Sequence, residues 1–546
     1  MKLFQQLLVA PAALGLMAPM AANAADLDIK GVSDYSGSSD QVTSISRFQD
    51  VYPTDWAYQA LSSLIERYGC VAGYPSGSYL GIRVMTRFEA AALLNACLDR
   101  ITEVTDELRR LLIEFEQELA ILKGRVDGFE ARVGELEATQ FSTTTKLVGQ
   151  TTFVFGGNHY GGDGEQLNGI TRADAASKES GGTTFTYDMR LDLNTSFTGK
   201  DLLKMRLRAG NFSKSAFGSD GYVGLHAMEV AFQEPDEVDI VAVNRLYYSF
   251  PIGESFTVIG GPIVRQDDML AIWPSAYPAD TILDIFTYAG SPATYNRALG
   301  GGAGIWWEQN NWSISANYVS ENAYDANPNT GGVGTDGAAS SGTVQIAYAP
   351  EDWGIAAAYN YASGDNGAGI YPGSGTYLAH TLSGYGNINS LALSAWWSPE
   401  DTGWIPSIST GWGYSRIDLK DGFSIGENYF SFESAVTQSW YIGLQWDDVF
   451  VEGNTLGMAV GQPTYVTNVD YKNGSDFVAD GQYAWEFWYA MQITDNITLT
   501  PAIFYLSRQA GEVTNAEGRQ VLWGGYRKHN KTFNNFGALL KTTFRF

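Results

Sequence analysis

The chain is 546 residues long, more than one ordinary domain needs. Its formal net charge of −26 argues against nucleic acid as a partner. Charged residues make up only 17% of the chain, whereas aromatic residues make up 13% and glycines number 61. With a mean hydropathy of −0.15, this composition is typical of a transmembrane β-barrel, in which lipid-facing and lumen-facing residues alternate.

Residues 1–24 have the pattern of a secretory signal peptide. Lys2 gives a positive start, the apolar stretch of residues 3–17 follows, and residues 22–24 form a small-x-small cleavage site. The apolar stretch falls short of the roughly 20 residues that a membrane-spanning helix needs. We therefore predict export, with a flexible segment over residues 25–45.

Residues 46–100 predict a small all-α module with two helices. Asp55 can cap the first helix, and Thr86 with Glu89 can form a capping box at the second. The module resembles the S-layer homology (SLH) domain, although Phe88 replaces the family's usual Ala. The matching positions are Phe48, Asp50, Val51, Trp56, Ala57, Gly73, Tyr74, Pro75, Thr86, Arg87 and Glu89.

The resemblance to SLH domains implies binding to cell-wall polysaccharide linked to peptidoglycan. The candidate binding residues are Asp50, Trp56 and Arg87. A guanidinium fork suits carboxylated sugars, and an indole suits the face of a sugar ring. The alternatives are packing in the core for Trp56 and a surface position at the helix start for Arg87.

Both cysteines of the chain, Cys70 and Cys97, lie in this module. Because an exported protein meets an oxidising compartment, we expect a disulfide between them. The alternative is a pair of buried free thiols.

Residues 101–140 predict an α-helical coiled-coil stalk. Apolar residues recur at steps of three and four from Val104 to Leu136, with one extra four-residue step between Phe115 and Leu119. These residues form a stripe along one side of the helix, here called the seam, which is narrower than the apolar face of a helix in a globular domain. We therefore expect the stalk to associate with partner chains.

From residue 145 to residue 546, apolar and polar residues alternate with the period of a β-strand. In the last stretch, one parity is mostly apolar and ends on Phe546, while the other carries Lys541 and Arg545. A terminal aromatic on the apolar face resembles the sorting signal of bacterial outer-membrane barrels. We expect Lys541 and Arg545 to share the lumen with the basic residues of the early strands.

Seven short turns alternate with eight long loops rich in Gly, Asn, Asp and Ser, which predicts about 16 antiparallel strands. A barrel of that size is wide enough for an aqueous channel. The predicted fold is therefore multidomain, with a small all-α SLH module, an α-helical coiled-coil stalk and an all-β transmembrane barrel.

The third long loop, residues 262–298, contains more apolar and charged residues than the other loops. We expect it to fold into the lumen as a constriction, and the alternative is packing over an interface between protomers. Strand parity directs the neighbouring basic residues inward. The candidate pore residues are Arg190, Lys204, Arg206, Arg208, Arg245, Arg265, Asp267, Asp268 and Arg297.

The sequence carries no HExxH, CxxC, GxSxG or GxxxxGK[ST] motif, and its four histidines are scattered through the predicted loops. We therefore expect no enzyme activity, no cofactor and no metal site.

The order of SLH module, coiled coil and C-terminal barrel resembles that of cyanobacterial outer-membrane porins. Their barrels are similar to the OprB-type carbohydrate-selective porins, and some members are called iron-uptake porins. The resemblance implies a passive homotrimeric porin in the outer membrane, whose periplasmic SLH module and stalk tether that membrane to peptidoglycan. Three functions remain open: general diffusion of ions and small solutes, a channel biased toward carbohydrate or iron, and a mainly structural tether.

Overall fold

The computed structural model divides the chain into two units, residues 1–140 and residues 141–546. It describes residues 51–68, 86–98, 106–121, 144–163, 172–218, 224–234, 237–400, 403–420, 424–425, 428–429, 432–471, 474–477, 480–509 and 532–546. The signal peptide, the predicted flexible segment, Asp50, Cys70 and the side chain of Cys97 lie outside these residues. The disulfide and the role of Asp50 therefore stay predictions.

The first unit contains three described helices, Trp56–Tyr68 (α1), Arg87–Leu98 (α2) and Asp106–Glu114 (α3). At the start of α2, Thr86 N donates to the Glu89 carboxylate at 2.8 Å, and Glu89 N donates to Thr86 Oγ1 at 3.2 Å. This reciprocal pair is the predicted capping box. Asp55 stands directly before α1, and its carbonyl accepts from Gln59 N at 3.2 Å, while its carboxylate accepts from Tyr52 N at 2.9 Å in the preceding turn. Capping of α1 by the Asp55 side chain stays a prediction.

The described part of the predicted coiled-coil seam packs inside the helical module. Leu108, Leu111 and Phe115 are buried in one core with residues of α1 and α2, including Leu61 and Leu94. The helix continues past Glu114, since the amide of residue 115 donates to the carbonyl of residue 111 at 3.0 Å. The remaining seam positions, residue 104 and those from 122 onward, lie outside the described residues, so the stalk stays a prediction.

The second unit is a closed barrel of sixteen antiparallel strands, as predicted. The strands are Thr145–Gly161 (β1), Thr184–Thr195 (β2), Leu202–Gly210 (β3), Ala242–Ile252 (β4), Phe256–Arg265 (β5), Leu299–Gln309 (β6), Trp312–Ser320 (β7), Ser340–Tyr348 (β8), Trp353–Ser363 (β9), Gly386–Trp397 (β10), Ser407–Leu419 (β11), Phe432–Trp446 (β12), Thr455–Tyr471 (β13), Ala484–Thr494 (β14), Ile497–Leu506 (β15) and Asn534–Arg545 (β16).

The barrel closes between its first and last strands. Gln150 of β1 pairs with Arg545 of β16, and the ladder runs to Gly161 and Asn534. Beyond β16, Phe546 N donates to Gly149 O at 3.0 Å. The Phe546 ring covers Gly149 so closely that an added Cβ there would lie 2.2 Å from it.

Short turns join the strands at one end of the barrel, at the predicted positions. The turn between β6 and β7 consists of Asn310 and Asn311, both with positive φ (52° and 67°). That conformation suits a tight two-residue hairpin turn. The long connections at the other end contain two short helices, Arg172–Ser180 (α4) and Tyr377–Ser383 (α5), and the short strands Ser424–Ile425, Asn428–Tyr429 and Gly474–Phe477.

Burial alternates along the strands as the sequence predicts. In β2, Phe185 is 68% exposed on the outer face, whereas Asp188 is 1% exposed on the inner face. The outer face is therefore the apolar one, which suits contact with lipid. None of the described helices is both long and apolar enough to span a bilayer.

We predict that Phe115→Ala destabilises the helical module by about 3–5 kcal/mol, because it empties a buried site. The matched control is Ile113→Ala, since Ile113 on the same helix is 73% exposed. We expect that change to stay within about 0.5 kcal/mol. Both effects are measured by limited proteolysis of the detergent-solubilised full chain at increasing urea concentrations. The readout is cleavage within residues 51–121. Equal effects of the two changes would contradict packing of this helix within one chain.

Candidate pore constriction

The connection between β5 and β6, residues 266–298, folds into the barrel and is here called the constriction loop. Its backbone bonds to side chains on the inner face of distant strands. Ala271 N donates to Ser315 Oγ of β7 at 3.0 Å, and Tyr277 N donates to Ser409 Oγ of β11 at 3.0 Å. Ser439 of β12 donates to the loop carbonyl of residue 290 at 2.8 Å. The loop therefore runs along the inner wall, and its polar backbone groups are satisfied there.

Glycines on the inner face let the loop approach the wall closely. A Cβ at Gly411 of β11 would lie 1.9 Å from Ala289 O, and a Cβ at Gly443 of β12 would lie 2.6 Å from the Tyr277 ring. No larger residue fits at either position without moving the loop.

Part of the lumen is filled by apolar packing. Ile282, Leu283 and Phe286 of the constriction loop are buried in one cluster with Phe217 and Phe504. Residue 217 belongs to the connection between β3 and β4, and residue 504 points inward from β15. This half of the barrel, beside β1 and β12–β16, is thus occupied by protein.

The predicted basic row on β2 and β3 forms ion pairs with carboxylates of β2. Arg206 bonds Asp192 in a bidentate manner, at 2.6 and 2.8 Å, and Lys204 lies 3.4 Å from the same carboxylate. Arg208 bonds both oxygens of Asp188, which also lies 3.4 Å from the Arg190 guanidinium. Each carboxylate therefore serves two cations.

A second group of pairs connects β4, β5 and the start of the constriction loop. The Arg265 guanidinium bonds Asp267 in a bidentate manner at 2.5 Å. Arg245, whose side chain is 2% exposed, bonds Asp268. Asp268 also accepts from the Arg265 amide at 3.0 Å, which fixes the single turn Gln266–Met269.

Arg297, at the end of the constriction loop, ties the loop to the connection between β3 and β4. Its guanidinium bonds Glu229, lies 3.5 Å from Asp284, and stacks over Tyr288 at 4.4 Å and Trp273 at 5.4 Å. Arg297 adopts a positive φ of 55°, an unusual conformation for a residue with a side chain. These contacts hold the arginine in a single place.

Glu229 and Asp284 titrate as a pair. Burial alone would raise the pKa of Glu229, but Arg297 and Arg265 outweigh it and lower this pKa to about 2. Burial, and then the Glu229 carboxylate, raise the pKa of Asp284 well above its usual value. Glu229 therefore ionises more readily than Asp284.

All nine candidate pore residues are thus ion-paired, in separate groups that are together called the charge network here. The network also includes four acids that are not among the predicted pore residues, Asp188, Asp192, Glu229 and Asp284. Asp188 and Asp192 could have been found by parity, because they alternate with the inward arginines. Glu229 and Asp284 lie in long connections, where no strand period shows which way a side chain points.

A cavity of about 680 Å³ opens above this network, toward the long connections. Its lining includes Arg245, Arg265, Arg297, Glu229, Tyr288 and Tyr371. A smaller cavity of about 200 Å³ lies toward the short turns and is lined by Pro278, Asp280, Thr281, Lys541 and Arg545.

Lys541 departs from the sequence expectation. It points inward, as predicted, but its ammonium donates to Asp280 O and, at 3.1 Å, to Thr281 O. It therefore holds the constriction loop and does not extend the basic row of β2 and β3.

The connection between β9 and β10, residues 364–385, also folds inward and closes part of the large cavity. Thr376 N donates to Thr464 O at 2.8 Å, and the Thr376 hydroxyl bonds Asp480, which is fully buried. Asp480 accepts a second bond from Val466 N at 3.1 Å. Burial raises the pKa of the Asp480 carboxyl to about 7, although these two hydrogen bonds oppose the shift.

The wall-binding candidates differ in how accessible they are. The guanidinium of Arg87 bonds Glu118 at 2.7 Å and Glu114 at 2.8 Å, so it is engaged within the module. Burial would lower the pKa of Arg87, but the bonds to these two carboxylates raise it above its usual value. Trp56 is 40% exposed, and the Arg110 guanidinium lies 4.5 Å from its ring centre.

Comparison with known proteins places the chain in a family. The profile named "Carbohydrate-selective porin, OprB family" matches residues 103–264, and the S-layer homology domain profile matches residues 47–91. The uncharacterized protein alr4550 of Nostoc sp. is 34% identical over 525 residues, which cover 87% of this chain and 83% of that protein. The chain belongs to the OprB family of carbohydrate-selective porins.

A second relative of this OprB-family chain is the uncharacterized protein sll0772 of Synechocystis sp., which is 32% identical over 531 residues, covering 89% of this chain and 91% of that protein. Among solved structures, Pseudomonas putida OprB is 11% identical and gives a TM-score of 0.43, covering 74% of this chain and 94% of that chain. The OprB-family chain is an outer-membrane porin with cell-wall tethering, and its SLH domain lies in the periplasm.

We predict that the docking of residues 364–385 in this porin weakens as pH rises. The pKa of Asp480 is about 7 in the folded state and near 3.9 in the unfolded chain. Between these two pH values the carboxyl is therefore mostly protonated in the folded state and mostly ionised in the unfolded chain. The stabilisation is complete below about pH 4 and is lost as pH rises through about 7. Amide hydrogen exchange of Tyr377–Ser383, corrected for intrinsic rates, should accelerate from pH 5 to pH 8.

The control for this prediction is Asp480→Asn, which should abolish the dependence on pH, whereas Asp336→Asn in an exposed neighbouring connection should leave it intact. Corrected exchange that stays constant over this range in the natural chain would contradict the prediction.

Proposed function

We propose that the barrel is a general diffusion channel for small ions and hydrophilic solutes, with a weak preference for anions. We further propose that the SLH module binds peptidoglycan-linked polysaccharide and that the chain works as a homotrimer. The observation that carries the channel proposal is the nearly balanced set of ion-paired side chains beside the large cavity.

The balance follows from counting the ion-paired side chains of the network. Seven are cations, namely Arg190, Lys204, Arg206, Arg208, Arg245, Arg265 and Arg297. Six are acids, namely Asp188, Asp192, Glu229, Asp267, Asp268 and Asp284. Seven basic groups thus face six acidic ones, and the raised pKa of Asp284 adds to this small excess of positive charge. A small net charge distributed along a path biases the choice of ions without binding one tightly.

A second candidate, a channel biased toward carbohydrate, is favoured by the lining of the large cavity. Tyr288 and Tyr371 line it together with bidentate donors such as Arg265 and Arg297. Aromatic faces and guanidinium groups suit sugar rings and their hydroxyls. Saturable block of the ion current by sugars would support this candidate over general diffusion. A barrel that conducts nothing would instead leave the third candidate, a structural tether.

The wall-binding proposal rests on the SLH resemblance and on the exposed indole of Trp56. Because Arg87 is engaged by two glutamates, a wall polymer would have to exchange with them or bind beside them. Sedimentation of the full chain with purified cell-wall sacculi tests the proposal. Trp56→Ala should reduce binding several-fold while leaving the helices folded.

The homotrimer is tested by native mass measurement or cross-linking of the detergent-solubilised chain. A monomer or dimer under conditions in which the barrel stays folded would contradict it.

We predict that Asp267→Asn raises the anion-to-cation permeability ratio of the channel by roughly twofold or more. It removes one negative charge beside Arg265 and retains one of the two acceptor oxygens that Arg265 uses. In a medium of effective dielectric about 20, one charge acts on a passing ion with an energy on the order of kcal/mol. Reversal potentials in planar bilayers under a salt gradient measure the ratio.

The matched control is Glu351→Gln, which removes one negative charge from the exposed turn between β8 and β9. It should leave the ratio unchanged. Equal effects of the two changes would place the selective path elsewhere.

A further inference from the structure

We propose that Glu486 and Trp488 of β14 and Lys541 of β16 form a latch that fixes the constriction loop and thereby sets the aperture of the pore. The latch engages residues 275–283, here called the latched segment. None of the three latch residues belongs to the charge network described above. The inference rests on the proposed channel function for its effect on conductance, but the fixing of the loop can be tested without it.

Glu486 supplies the acceptors of the latch. Its carboxylate accepts from the Tyr277 hydroxyl at 2.8 Å through one oxygen and from Leu283 N at 2.7 Å through the other. Trp488 Nε1 donates to the same Tyr277 hydroxyl at 2.9 Å. Glu486 is 1% exposed and Tyr277 is 3% exposed. One buried acid thus fixes the loop at two points six residues apart, and both of its oxygens are used.

Lys541 supplies the donor of the latch, between those two points. Its ammonium donates to the carbonyls of Asp280 and Thr281, and the side chain is buried at 7% exposure. A buried ammonium is stable only where its protons find acceptors, and these two carbonyls are such acceptors. The lysine therefore depends on the loop as much as the loop depends on the lysine.

The wall beside the latch, on β11 and β12, is shaped for the same segment. Ser409 Oγ accepts from both Ala276 N and Tyr277 N, at 2.9 and 3.0 Å, and Ser275 Oγ lies 2.7 Å from the Tyr441 hydroxyl. Gly443 leaves room for the Tyr277 ring. The latched segment is therefore held from β11, β12, β14 and β16 together.

The consequence concerns the free cross-section of the barrel. The latched segment and its apolar neighbours occupy the half of the lumen beside β12–β16, while the ion-paired network lies beside β2–β5. A loop released from the latch is free to move away from the wall. The open cross-section of the pore then becomes larger or varies with time. The latch residues are positioning residues, since they act on solutes through the loop.

The test compares three variants of the full-length porin in planar bilayers. Lys541→Met removes the donor but keeps a side chain of similar length, and Gly411→Val pushes the loop backbone off the wall at another place. We expect each to raise the single-channel conductance by roughly one and a half to twofold, or to produce several open levels, because more of the lumen becomes available to ions. The smallest polyethylene glycol that the pore excludes should be larger in these variants than in the natural chain. Lys541→Arg, which retains donors, should preserve most of the natural behaviour.

The control is Lys200→Met, which removes the same charge from an exposed short turn. It should change neither conductance nor polymer exclusion. Heat-modifiable migration on gels shows that each variant has a closed barrel. Unchanged conductance and exclusion in both Lys541→Met and Gly411→Val barrels would overturn the proposal.

Amide hydrogen exchange separates failure of the latch from failure of the channel function. Residues 275–283 should exchange at least tenfold faster in Lys541→Met than in the natural chain, whether or not the barrel conducts. Unchanged exchange in these residues would overturn the latch. A natural chain without conductance, but with accelerated exchange in the variant, would refute the channel and retain the latch.

Discussion

The interior of this barrel is governed by the need to satisfy the backbone of a long loop that lies inside it. A closed sheet of sixteen strands encloses more space than its inward side chains can fill. A loop that enters this space brings amide and carbonyl groups that must find partners or water. Inward serines at 315, 394, 409 and 439 supply partners on four separate strands. Small hydroxylated side chains suit this task, because they bond the loop backbone without holding it away from the wall.

The charges on the other side of the lumen obey a related constraint. Inward arginines in a barrel partly filled with protein are tolerated where carboxylates and backbone carbonyls accept hydrogen bonds from their N–H groups. Arg245 illustrates this, since it bonds Asp268 and the backbone and side chain of Asn244 while being almost fully buried. The pairing also restrains the constriction loop, because three of the acids, at 267, 268 and 284, belong to it. The proposed ion preference and the position of the loop therefore depend on the same contacts.

Much of this arrangement could be predicted from the sequence. The period-two pattern placed Arg190 and Arg208 on the inner face, and the turn residues gave the number of strands, since both depend on local backbone geometry. The path of the constriction loop and the partners of Lys541 could not be predicted, because they depend on contacts between residues 260 positions apart in the chain. Leu111 and Phe115 illustrate a different difficulty. Spacing by three and four suits both a coiled-coil seam and a helix that packs on two others, so spacing alone cannot identify the partner.

The inner-face residues themselves indicate which side of the barrel is open. On β2 and β3 the inward positions are Asp188, Arg190, Asp192, Lys204, Arg206 and Arg208. On β11 they are Ser407, Ser409, Gly411, Gly413 and Ser415. Long charged side chains reach across space and need water or a counter-charge, whereas glycine and serine leave room that the constriction loop fills. Some strands carry charged inner-face residues and others carry small ones. This difference between strands is thus a sequence signal for the part of the wall against which a constriction loop lies. This signal has the same physical cause as the hydrogen bonds of the loop backbone, namely that buried polar groups need partners.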